Sequence, residues 1–428
     1  MKVLTIKAPK KLNTTVQLPA SKSISNRALI IYALSGGSTL PENLSDCDDT
    51  EVIIEALRHM PETINIKAAG TAMRFMTAYL SVMRGTHTLT GTERMQHRPI
   101  GILVDALRHL GADISYVKET GFPPLRITGK TLSGGLLEVP GNISSQYISA
   151  LLMIGPVLKN GLELKLTGDI ISRPYIDLTL WTMREFGAKA EWTAADTITV
   201  KATPYLSREY FIENDWSAAS YWYEMVALSE EPETEVRLTG LMDGSKQGDS
   251  VVRYIFSLLG VKTVFESKKA GIPQTVTIKK SGRCVPRLDY DFVNSPDLAQ
   301  TIVVTCCLKG IPFHFKGLST LKIKETDRIQ ALITEMRKLG YVLNDIDGRE
   351  LVWDGSRCEP APTATTQTDG SETAPIDTYE DHRMALAFAP IAMRQPISIN
   401  APEVVTKSYP HFWEDLQKAQ FTVYNPES

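Results

Sequence analysis

The sequence predicts an α/β protein of two domains, and three observations support this prediction. The chain has 428 residues, which exceeds what one hydrophobic core usually serves. Four segments share one pattern: apolar residues recur every three or four positions, a glycine follows, and apolar residues then alternate. Two weaker copies of this helix–glycine–strand pattern flank the four, with Pro61 and Gln420 where the glycine would stand. The glycines of the four clear copies lie 73 to 80 residues apart and are Gly111, Gly187, Gly260 and Gly340.

Six such units divide naturally into two domains of three, because a repeated unit buries its apolar face against sister units. The step from Pro61 to Gly111 is only 50 residues, so roughly 25 residues are missing there relative to the mean unit. We expect the gap within the stretch HMPETINIKAAGTAMR, residues 59–74. The alternative is that such junctions are common in α/β proteins and mark no true repeat. A segment rich in Thr, Pro and Ala, residues 356–377, predicts a partly mobile surface loop.

The composition excludes several classes of protein. With 43% hydrophobic and 22% charged residues the chain is typical of globular proteins, and a net charge of −3 argues against general nucleic-acid binding. The N-terminal MKVLTIKAPKKLN lacks the apolar core of a signal peptide, and no run of eighteen apolar residues predicts a membrane span. The five cysteines show no metal-ligand spacing, which favours a reduced, cytoplasmic setting. We therefore expect neither a metal nor a cofactor, and no membrane partner.

One stretch near the N-terminus, LPASKSISNRALIIYA (18–33), combines cations with small polar residues just before an apolar helix. The helix is predicted to begin near Ser25, so its free N–H groups and dipole would face an anion held by Lys22 and Ser23. Arg27 follows Ser23 by one helical turn. The alternative is a capping serine, Ser25, with solvated charges around it.

Similar polar clusters precede other predicted helices of the first half. In AAGTAMR (68–74), Gly70 would let the backbone approach a ligand closely. In TGTERMQHRPIG, Arg94 and Arg98 place two guanidinium groups in one loop, which suits phosphate or carboxylate, although a solvated loop explains them equally well. Two helix entries offer hydroxyl, amide and aromatic groups, and for both of them helix capping by Ser144 or Ser172 is the alternative. Their candidate residues are Ser144, Ser145, Gln146, Ser172 and Tyr175.

The second half contains a group of charged residues at further helix entries. The motifs KIKETDRIQ, YEDHRMALAFA, VTKSYPHFW and NSPDLAQTIVV carry them. The candidate residues are Asp297, Lys324, Glu325, Arg328, Asp381, His382, Arg383 and Lys407. Asp327 could simply orient Arg328, Asp381 could cap its helix, and His382 could be an ordinary buried histidine. If the two domains face one another, these helix ends converge on an anion-selective cleft in an otherwise acidic protein.

The motifs taken in order resemble those of the 5-enolpyruvylshikimate-3-phosphate (EPSP) synthase family. The resemblance covers Leu18 to Pro410 and rests most on SKSISNRA, KETDR and DHRMA. It implies two similar domains, each of three βαβαββ units with pseudo-threefold symmetry, and an active site in the cleft between the domains. It also implies a first domain at 21–246, a second at 1–20 and 247–428, and crossings near 18–21 and 245–249.

The resemblance assigns a role to each candidate residue. The residues implied to hold shikimate 3-phosphate are Lys22, Ser23, Arg27, Ser144, Ser145, Gln146, Ser172, Tyr175, Asp297, Thr320 and Lys324. The residues implied to hold phosphoenolpyruvate are Lys22, Gly70, Arg98, Gln146, Arg328, Arg383 and Lys407. Lys22, Asp297 and Glu325 are the implied catalytic residues, with Asp297 and Glu325 as the acid/base pair. Such a site needs cations for a carboxylate and two phosphates, and it needs no metal.

Several positions depart from the family pattern. Ala68 stands where the family commonly has Asn, Phe75 where it often has Pro, Thr320 where Asn is common and Ala20 where Gly is common. Ala68 adjoins the shortened segment near 60–67, so binding of phosphoenolpyruvate could be weakened. For the same reason, the glyphosate sensitivity of family members cannot be transferred to this protein. Two alternatives stay open: a non-catalytic anion-binding homologue, and an enolpyruvyl transferase acting on UDP-N-acetylglucosamine. The latter is disfavoured because no cysteine lies in the TERMQHRPIG loop. We expect a monomer with small-molecule substrates only.

Overall fold

The computed structural model describes residues 2–37, 39–361 and 374–425 of the chain. The chain divides into two units. We call Ala20–Glu213 the continuous unit, and Met1–Pro19 with Asn214–Ser428 the discontinuous unit. Most of the segment predicted to be a surface loop falls at 362–373, outside the described residues. No helix within the described ranges is both long and apolar enough to cross a membrane.

The continuous unit contains seven α-helices and eight strands among its described residues. Its helices are α1 (Lys22–Leu34), α2 (Asp48–His59), α3 (Gly70–Val82), α4 (Glu93–Gln96), α5 (Gly101–His109), α6 (Ser145–Ile154) and α7 (Arg173–Glu185). Its strands are β3 (Thr63–Asn65), β4 (Gly85–Thr90), β5 (Asp113–Tyr116), β6 (Leu125–Gly129), β7 (Gly135–Pro140), β8 (Leu162–Thr167), β9 (Ala190–Trp192) and β10 (Thr197–Val200). A short 3-10 helix at Gly155–Val157 extends α6.

The discontinuous unit contains the remaining elements. Its helices are α8 (Trp216–Leu228), α9 (Val252–Leu258), α10 (Ala299–Lys309), α11 (Arg328–Lys338), α12 (His382–Phe388) and α13 (Phe412–Lys418). Its strands are β1 (Val3–Lys7), β2 (Asn13–Gln17), β11 (Glu235–Met242), β12 (Val261–Phe265), β13 (Pro273–Lys280), β14 (Leu288–Asp291), β15 (Phe313–Lys316), β16 (Asn344–Ile346), β17 (Glu350–Trp353), β18 (Ile397–Asn400) and β19 (Thr422–Tyr424). Its 3-10 helices are Gly248–Val251, Phe292–Asn294, Pro296–Leu298, Ser319–Ile323, Ala389–Met393 and Pro402–Lys407.

Three sheets have the same βαβαββ connectivity, which confirms the predicted repeat. In the sheet β7-β8-β10-β9, β7 and β8 are parallel and the hairpin β9–β10 joins β8 in antiparallel pairing. The helices α6 and α7 follow β7 and β8, respectively. The sheets β3-β4-β6-β5 and β14-β15-β17-β16 repeat this order and these directions. An α/β fold of small mixed sheets is thus confirmed.

The discontinuous unit contains a fourth sheet, whose strands are separated in the sequence by a long insertion. Strand β2 pairs in parallel with β11, and β13 and β12 complete the order β12-β13-β11-β2. The whole continuous unit lies in the sequence between β2 and α8, where the other repeats have only a short loop. The N-terminal strand β1 likewise joins β18 and β19 from the C-terminal end of the chain.

The predicted gap lies in the remaining repeat of the continuous unit. There, a parallel bridge joins Glu42 to Phe211. Helix α2 then ends at His59 and β3 begins at Thr63, so no hairpin intervenes among these described residues. The missing residues are therefore those of the antiparallel hairpin that each of the four four-stranded sheets possesses.

The predicted helix stops are confirmed by the backbone. Gly111, Gly187, Gly260 and Gly340 follow α5, α7, α9 and α11 with φ values of 99°, 81°, 91° and 86°, in the left-handed region that favours glycine. Gln420 takes the same place after α13 with φ 69°. In the weaker copy that has Pro61 in place of glycine, the residue with a positive φ is Met60, at 41°. Pro61 cannot take this role, because proline cannot adopt a positive φ.

The structure corrects the second predicted domain boundary. The first crossing lies at Pro19/Ala20, one residue from the predicted position, but the second lies at Glu213/Asn214 instead of near 245–249. The reason is packing: α8 and β11 belong to the hydrophobic core of the discontinuous unit, with Trp216 and Trp222 fully buried there. Helix α8 is buried on nearly every side, which is typical of a central core helix.

Candidate active site

In the continuous unit, candidate residues occupy the N-termini of four helices: α1, α3, α6 and α7. Helix α1 begins at Lys22, three residues earlier than predicted, and its cap is Ser21, whose hydroxyl accepts from the N–H of Ile24 at 3.5 Å. The alternative in which Ser25 caps this helix is wrong: Ser25 is buried and its Oγ accepts from the N–H of Ser45 at 3.0 Å. Lys22 and Ser23 therefore stand in the first turn itself.

Lys22 has a carboxylate beside it. Its Nζ lies 3.3 Å from Oδ2 of Asp49, in the first turn of α2, and both side chains are largely buried, at 15% and 8% exposure. Because this ammonium group is partly buried and paired with a carboxylate, it is held in one position instead of moving freely in solvent. Sequence reasoning missed Asp49, although its place in the first turn of an amphipathic helix was visible.

Arg27 joins three of these helices. Its Nη1 donates to the carbonyl of Ser23 at 2.8 Å, and its Nε to Oγ1 of Thr179 at 2.7 Å. Its Nη2 donates to Oγ of Ser149 at 3.2 Å and to the carbonyl of Tyr175 at 3.3 Å. Burial lowers the pKa of this guanidinium to about 10, which still leaves it charged at neutral pH. Arg27 thus brings Ser23, the start of α7 and one face of α6 together.

The two serine-capped entries differ from one another. Ser144 caps α6, since its Oγ accepts from the N–H of Gln146 at 3.4 Å, and Ser145 begins that helix. Ser172 has no such capping bond; it is buried and has φ 54° and ψ 35°. A non-glycine residue in the left-handed region costs of order 1 kcal/mol or more, and such strain concentrates at functional sites. The capping alternative therefore explains Ser144 and fails for Ser172.

Gly70, Arg98 and Gln146 are close to one another. A Cβ atom on Gly70 would lie 2.6 Å from Nη1 of Arg98, so only glycine permits this approach. Nε2 of Gln146 donates to Oγ1 of Thr71 at 3.1 Å, which joins α6 to the start of α3. Arg94, by contrast, is exposed on α4.

Two residues that sequence reasoning missed hold the backbone of Pro99, the residue after Arg98. Arg74 is buried and donates from Nη1 to the carbonyl of Gly70 at 3.0 Å and from Nη2 to that of Pro99 at 3.2 Å. The hydroxyl of Tyr147 donates to the same Pro99 carbonyl at 2.5 Å, and its ring lies under the Arg74 guanidinium. The only signal in the sequence was the position of Arg74 inside AGTAMR.

In the discontinuous unit, Arg328 bridges three carboxylates. Its Nη1 donates to Asp297 at 2.9 Å, its Nη2 to Glu325 at 2.8 Å, and its Nε to Asp381 at 2.7 Å. Both predicted acid/base carboxylates therefore contact one guanidinium, which is itself fully buried. The suggestion that Asp327 orients Arg328 is wrong, because Asp327 caps α11 by accepting from the N–H of Gln330 at 3.1 Å. Asp381 has the orienting role.

Asp297 is surrounded by cations. Nη2 of Arg383 lies 3.0 Å from its Oδ2, and Nζ of Lys324 lies 3.4 Å from its Oδ1. Burial alone would raise the pKa of Asp297, but Arg383, Lys324 and Arg328 together hold it far below the usual range. Asp297 is therefore ionised at every physiological pH. We call Asp297, Lys324, Glu325, Arg328, Asp381 and Arg383 the carboxylate–arginine cluster.

The remaining candidates lie around this cluster. Asp381 caps α12, as predicted, by accepting from the N–H of Arg383 at 2.9 Å, and His382 is buried beside it. Nζ of Lys407 donates to the carbonyl of Glu380 at 3.4 Å. Thr320 lies in the 3-10 helix Ser319–Ile323, and its Oγ1 has no hydrogen-bond partner among the described residues.

One further carboxyl group near the cluster was not predicted. Asp249 is buried and accepts a hydrogen bond from the Ser217 hydroxyl. Burial and the nearby charge of Asp297 raise the pKa of Asp249 to about 6, against the opposing effects of Arg383 and Ser217. Asp249 is thus a fourth carboxyl group beside the three that Arg328 bridges, and its pKa lies closer to neutrality than usual.

Known proteins resemble this chain along its whole length. Residues 6–66 and 60–416 match the family described as EPSP synthase (3-phosphoshikimate 1-carboxyvinyltransferase). A 3-phosphoshikimate 1-carboxyvinyltransferase of Bacteroides fragilis is 59% identical over 420 residues, covering 98% of each chain. One of Shewanella pealeana is 35% identical over 445 residues, covering 97% of this chain and 99% of the relative.

A solved structure shares the fold. EPSP synthase from Acinetobacter baumannii superposes with a TM-score of 0.77 over 99% of this chain and 100% of its own. Its sequence identity is 20%, so this likeness concerns the fold alone.

Proposed function

Since the chain belongs to the EPSP synthase family, we propose that it transfers the enolpyruvyl group of phosphoenolpyruvate to the 5-hydroxyl of shikimate 3-phosphate, releasing phosphate. The observation that carries the proposal is the bridge made by Arg328. One buried guanidinium contacts both Asp297 and Glu325, the two carboxylates that the reaction would use for proton transfer. Arg383 and Lys324 add positive charge at the same place, as a donor with a carboxylate and a phosphate requires.

The reaction proceeds by addition and elimination. In the addition, Glu325 gives a proton to the methylene carbon of phosphoenolpyruvate while the 5-hydroxyl oxygen bonds to the neighbouring carbon and its proton passes to Asp297. In the elimination, the new methyl group returns one proton to Glu325, the carbon–oxygen bond to phosphate breaks, the departing phosphate takes the proton held by Asp297, and the enol ether forms. The proton count is balanced, because Glu325 recovers the proton that it gave and the hydroxyl proton leaves with phosphate. General acid–base groups contribute about 10²–10⁴-fold each to such steps.

Phosphoenolpyruvate itself would prepare Asp297 as a base. Arg383, Lys324 and Arg328 hold the pKa of Asp297 too low for efficient proton acceptance. The carboxylate and phosphate of the donor would draw these cations toward themselves, because charge-assisted bonds to anions are the strongest available to guanidinium. The pKa of Asp297 then rises when the donor is bound.

The continuous unit supplies the proposed contacts to shikimate 3-phosphate. Lys22 and Ser23 begin α1, Ser144 and Ser145 begin α6, and the strained Ser172 precedes α7. Free N–H groups at a helix N-terminus, together with a lysine and hydroxyls, bind phosphate well. Arg27 supports this proposal indirectly, since its four hydrogen bonds hold the same helices together. Gly70, Arg98 and Gln146 are the proposed contacts to the donor in this unit, and Lys407 is a proposed contact in the discontinuous unit.

A phosphate-release assay with two acceptors tests the proposal. The protein is incubated with phosphoenolpyruvate and either shikimate 3-phosphate or UDP-N-acetylglucosamine, and free phosphate is measured over time. We expect release only with shikimate 3-phosphate. Release with UDP-N-acetylglucosamine alone would show that the nucleotide sugar is the acceptor instead. Absence of release with both acceptors would favour the non-catalytic anion-binding homologue.

A further inference from the structure

Two successive residues of the discontinuous unit have a strained backbone just before the carboxylate–arginine cluster. Tyr379 and Glu380 have φ values of 53° and 55°, and neither is glycine. This conformation is strained for any residue with a Cβ atom, so it persists only where surrounding contacts impose it. The next residue is Asp381, which caps α12 and accepts from Arg328. We call residues 377–381 the left-handed turn.

The left-handed turn has one attachment at the start of α11. Oδ2 of Asp381 accepts from Nε of Arg328 at 2.7 Å, and Oδ1 accepts from Nη2 of Arg328 at 3.2 Å. Arg328 is the first residue of α11. This two-atom contact fixes the end of the turn that leads into α12 to the start of α11.

A second attachment lies seven residues further along the same helix, at Glu335. The hydroxyl of Tyr379 donates to its Oε1 at 2.5 Å, and the N–H of Asp377 donates to its Oε2 at 3.1 Å. Glu335 is fully buried, and Nζ of Lys338 lies 2.8 Å from its Oε2. Seven residues of α-helix span about 10.5 Å, so the turn is held to α11 at two well-separated points. Asp377, at the start of the turn, also accepts from Nζ of Lys338 at 2.8 Å and from Nδ2 of Asn400 at 2.6 Å.

The turn determines where Arg383 and Lys407 lie relative to Arg328. Arg383 is the second residue of α12, which Asp381 caps, and its Nη2 lies 3.0 Å from Asp297. Lys407 donates to the carbonyl of Glu380, a residue of the turn itself. Arg328 contacts the turn directly. A rotation of the turn would therefore displace Arg383 and Lys407 relative to Arg328.

We propose that Glu335 and Tyr379 are positioning residues for the phosphoenolpyruvate site, which they support by fixing the left-handed turn to α11 at a second point. The inference rests on the proposed function, because it assigns the clamping of the donor to Arg328, Arg383 and Lys407. Neither residue touches the substrate; both act through the turn. Burial and the neighbouring Glu335 raise the pKa of Tyr379, so its hydroxyl stays a donor throughout the working pH range.

The variant Tyr379→Phe tests this role by removing a single hydroxyl while keeping the ring. Steady-state constants are measured for each substrate, with phosphate release as the readout. We expect the KM for phosphoenolpyruvate to rise about tenfold, the equivalent of roughly 1.4 kcal/mol, while the KM for shikimate 3-phosphate changes by less than about twofold. The matched control is Gln330→Ala, an exposed position on the same helix, for which both constants should stay unchanged.

A double-variant cycle with Glu335→Leu separates positioning from general loss of stability. If the two side chains act through their mutual bond, Tyr379→Phe combined with Glu335→Leu raises the KM for phosphoenolpyruvate less than the product of the single effects. Glu335→Gln keeps an amide oxygen that can accept from Tyr379, so it should be milder than Glu335→Leu. If Tyr379→Phe does not fold, Glu335→Gln supports the same comparison of the two KM values.

Three outcomes distinguish the inference from the proposed function. Wild-type turnover with a selective rise in the donor KM supports both. Wild-type turnover with unchanged donor KM in Tyr379→Phe and Glu335→Gln, or with equal rises for both substrates, overturns the positioning role alone. Absence of shikimate 3-phosphate-dependent turnover in the wild type overturns the proposed function and, with it, the role that depends on it.

Discussion

Arg328 illustrates how single residues of this protein combine structural and chemical tasks. Burial would lower the pKa of its guanidinium, but Asp381, Glu325 and Asp297 together raise it, so it is charged at all accessible pH values. Removing one partner of such a buried network leaves uncompensated charge and costs about 3–5 kcal/mol. Substitution of Arg328 itself would therefore change stability and catalysis together, so the carboxylates that it contacts are better probes.

Glu325→Gln is the sharpest probe of the proposed proton donor. The amide retains the shape of the side chain and can still accept from Nη2 of Arg328, but it has no acidic proton to give. We expect kcat to fall about 10²–10⁴-fold, while shikimate 3-phosphate binding, measured by calorimetry, stays within about twofold. The same substitution at the exposed Glu266 serves as the control. Unchanged turnover in Glu325→Gln would remove Glu325 from the catalytic role.

Glu224 is a second informative residue, in the core rather than in the cluster. It lies in α8 with a fully buried side chain. Burial raises its pKa well above the ordinary value, so the folded protein holds a proton on this group at pH values where the unfolded chain has released it. Stability is therefore lost as pH rises from the unfolded pKa, about 4.3, toward the folded value.

The variant Glu224→Gln should remove this loss, because glutamine is neutral at every pH. We expect its Tm to exceed that of the wild type at pH 8, with the difference shrinking toward pH 4.5. A gain of 1 kcal/mol corresponds to about 2–4 °C for a unit of this size. Calorimetric scans of both proteins at several pH values measure the effect, and Glu266→Gln controls for the change of charge. A difference in Tm independent of pH would contradict the pKa argument.

At the scale of elements, the start of α3 is determined by a close approach. Gly70 begins this helix, and the Arg98 guanidinium lies where a side chain would otherwise be. The carbonyls of Gly70 and Pro99 are held by Arg74, so the helix start and the Arg98 loop form one unit. The reason for glycine at this position is the nearby Arg98 guanidinium and not the backbone conformation, because the φ of Gly70 lies outside the left-handed region.

Gly70→Ala should damage the donor site and leave the fold intact. The new methyl group would displace the flexible end of Arg98, so we expect the KM for phosphoenolpyruvate to rise about tenfold with little change in Tm. Gly101→Ala is a matched control, because Gly101 also begins a helix but a Cβ there meets its nearest neighbour at an ordinary 3.5 Å. Equal kinetic effects of the two substitutions would contradict the role given to Gly70.

The sequence predicted the elements better than their exact ends. Helix–glycine–strand junctions were visible because a left-handed residue after a helix strongly favours glycine, and even Gln420 was recognised from its place in the repeat. The start of α1 was placed three residues late, since Ser21 and Ser25 are both good capping residues and only tertiary contacts distinguish them. Pairings such as Arg328 with Asp381 join residues 53 positions apart, which no local pattern reveals.

At the scale of the whole molecule, the order of the repeats explains the error in the domain boundary. Strand β2 pairs with β11 although the entire continuous unit separates them in the sequence. The resemblance implied a crossing near 245–249, whereas this pairing holds α8 and β11 in the same unit as β2. The missing hairpin after α2 was found because its absence shortens one spacing in an otherwise regular series. The expected monomeric state stays a prediction.

In the proposed reaction, the 5-hydroxyl of shikimate 3-phosphate adds to phosphoenolpyruvate, and phosphate is then eliminated. The most direct measurement is a reaction in deuterium oxide, followed by NMR of both substrates and products. We expect an enolpyruvyl ether of shikimate 3-phosphate in equal amount to the phosphate released, with solvent deuterium in its methylene group, because that carbon gains and loses a proton. Formation of pyruvate without the ether, or an ether free of deuterium, would contradict the mechanism.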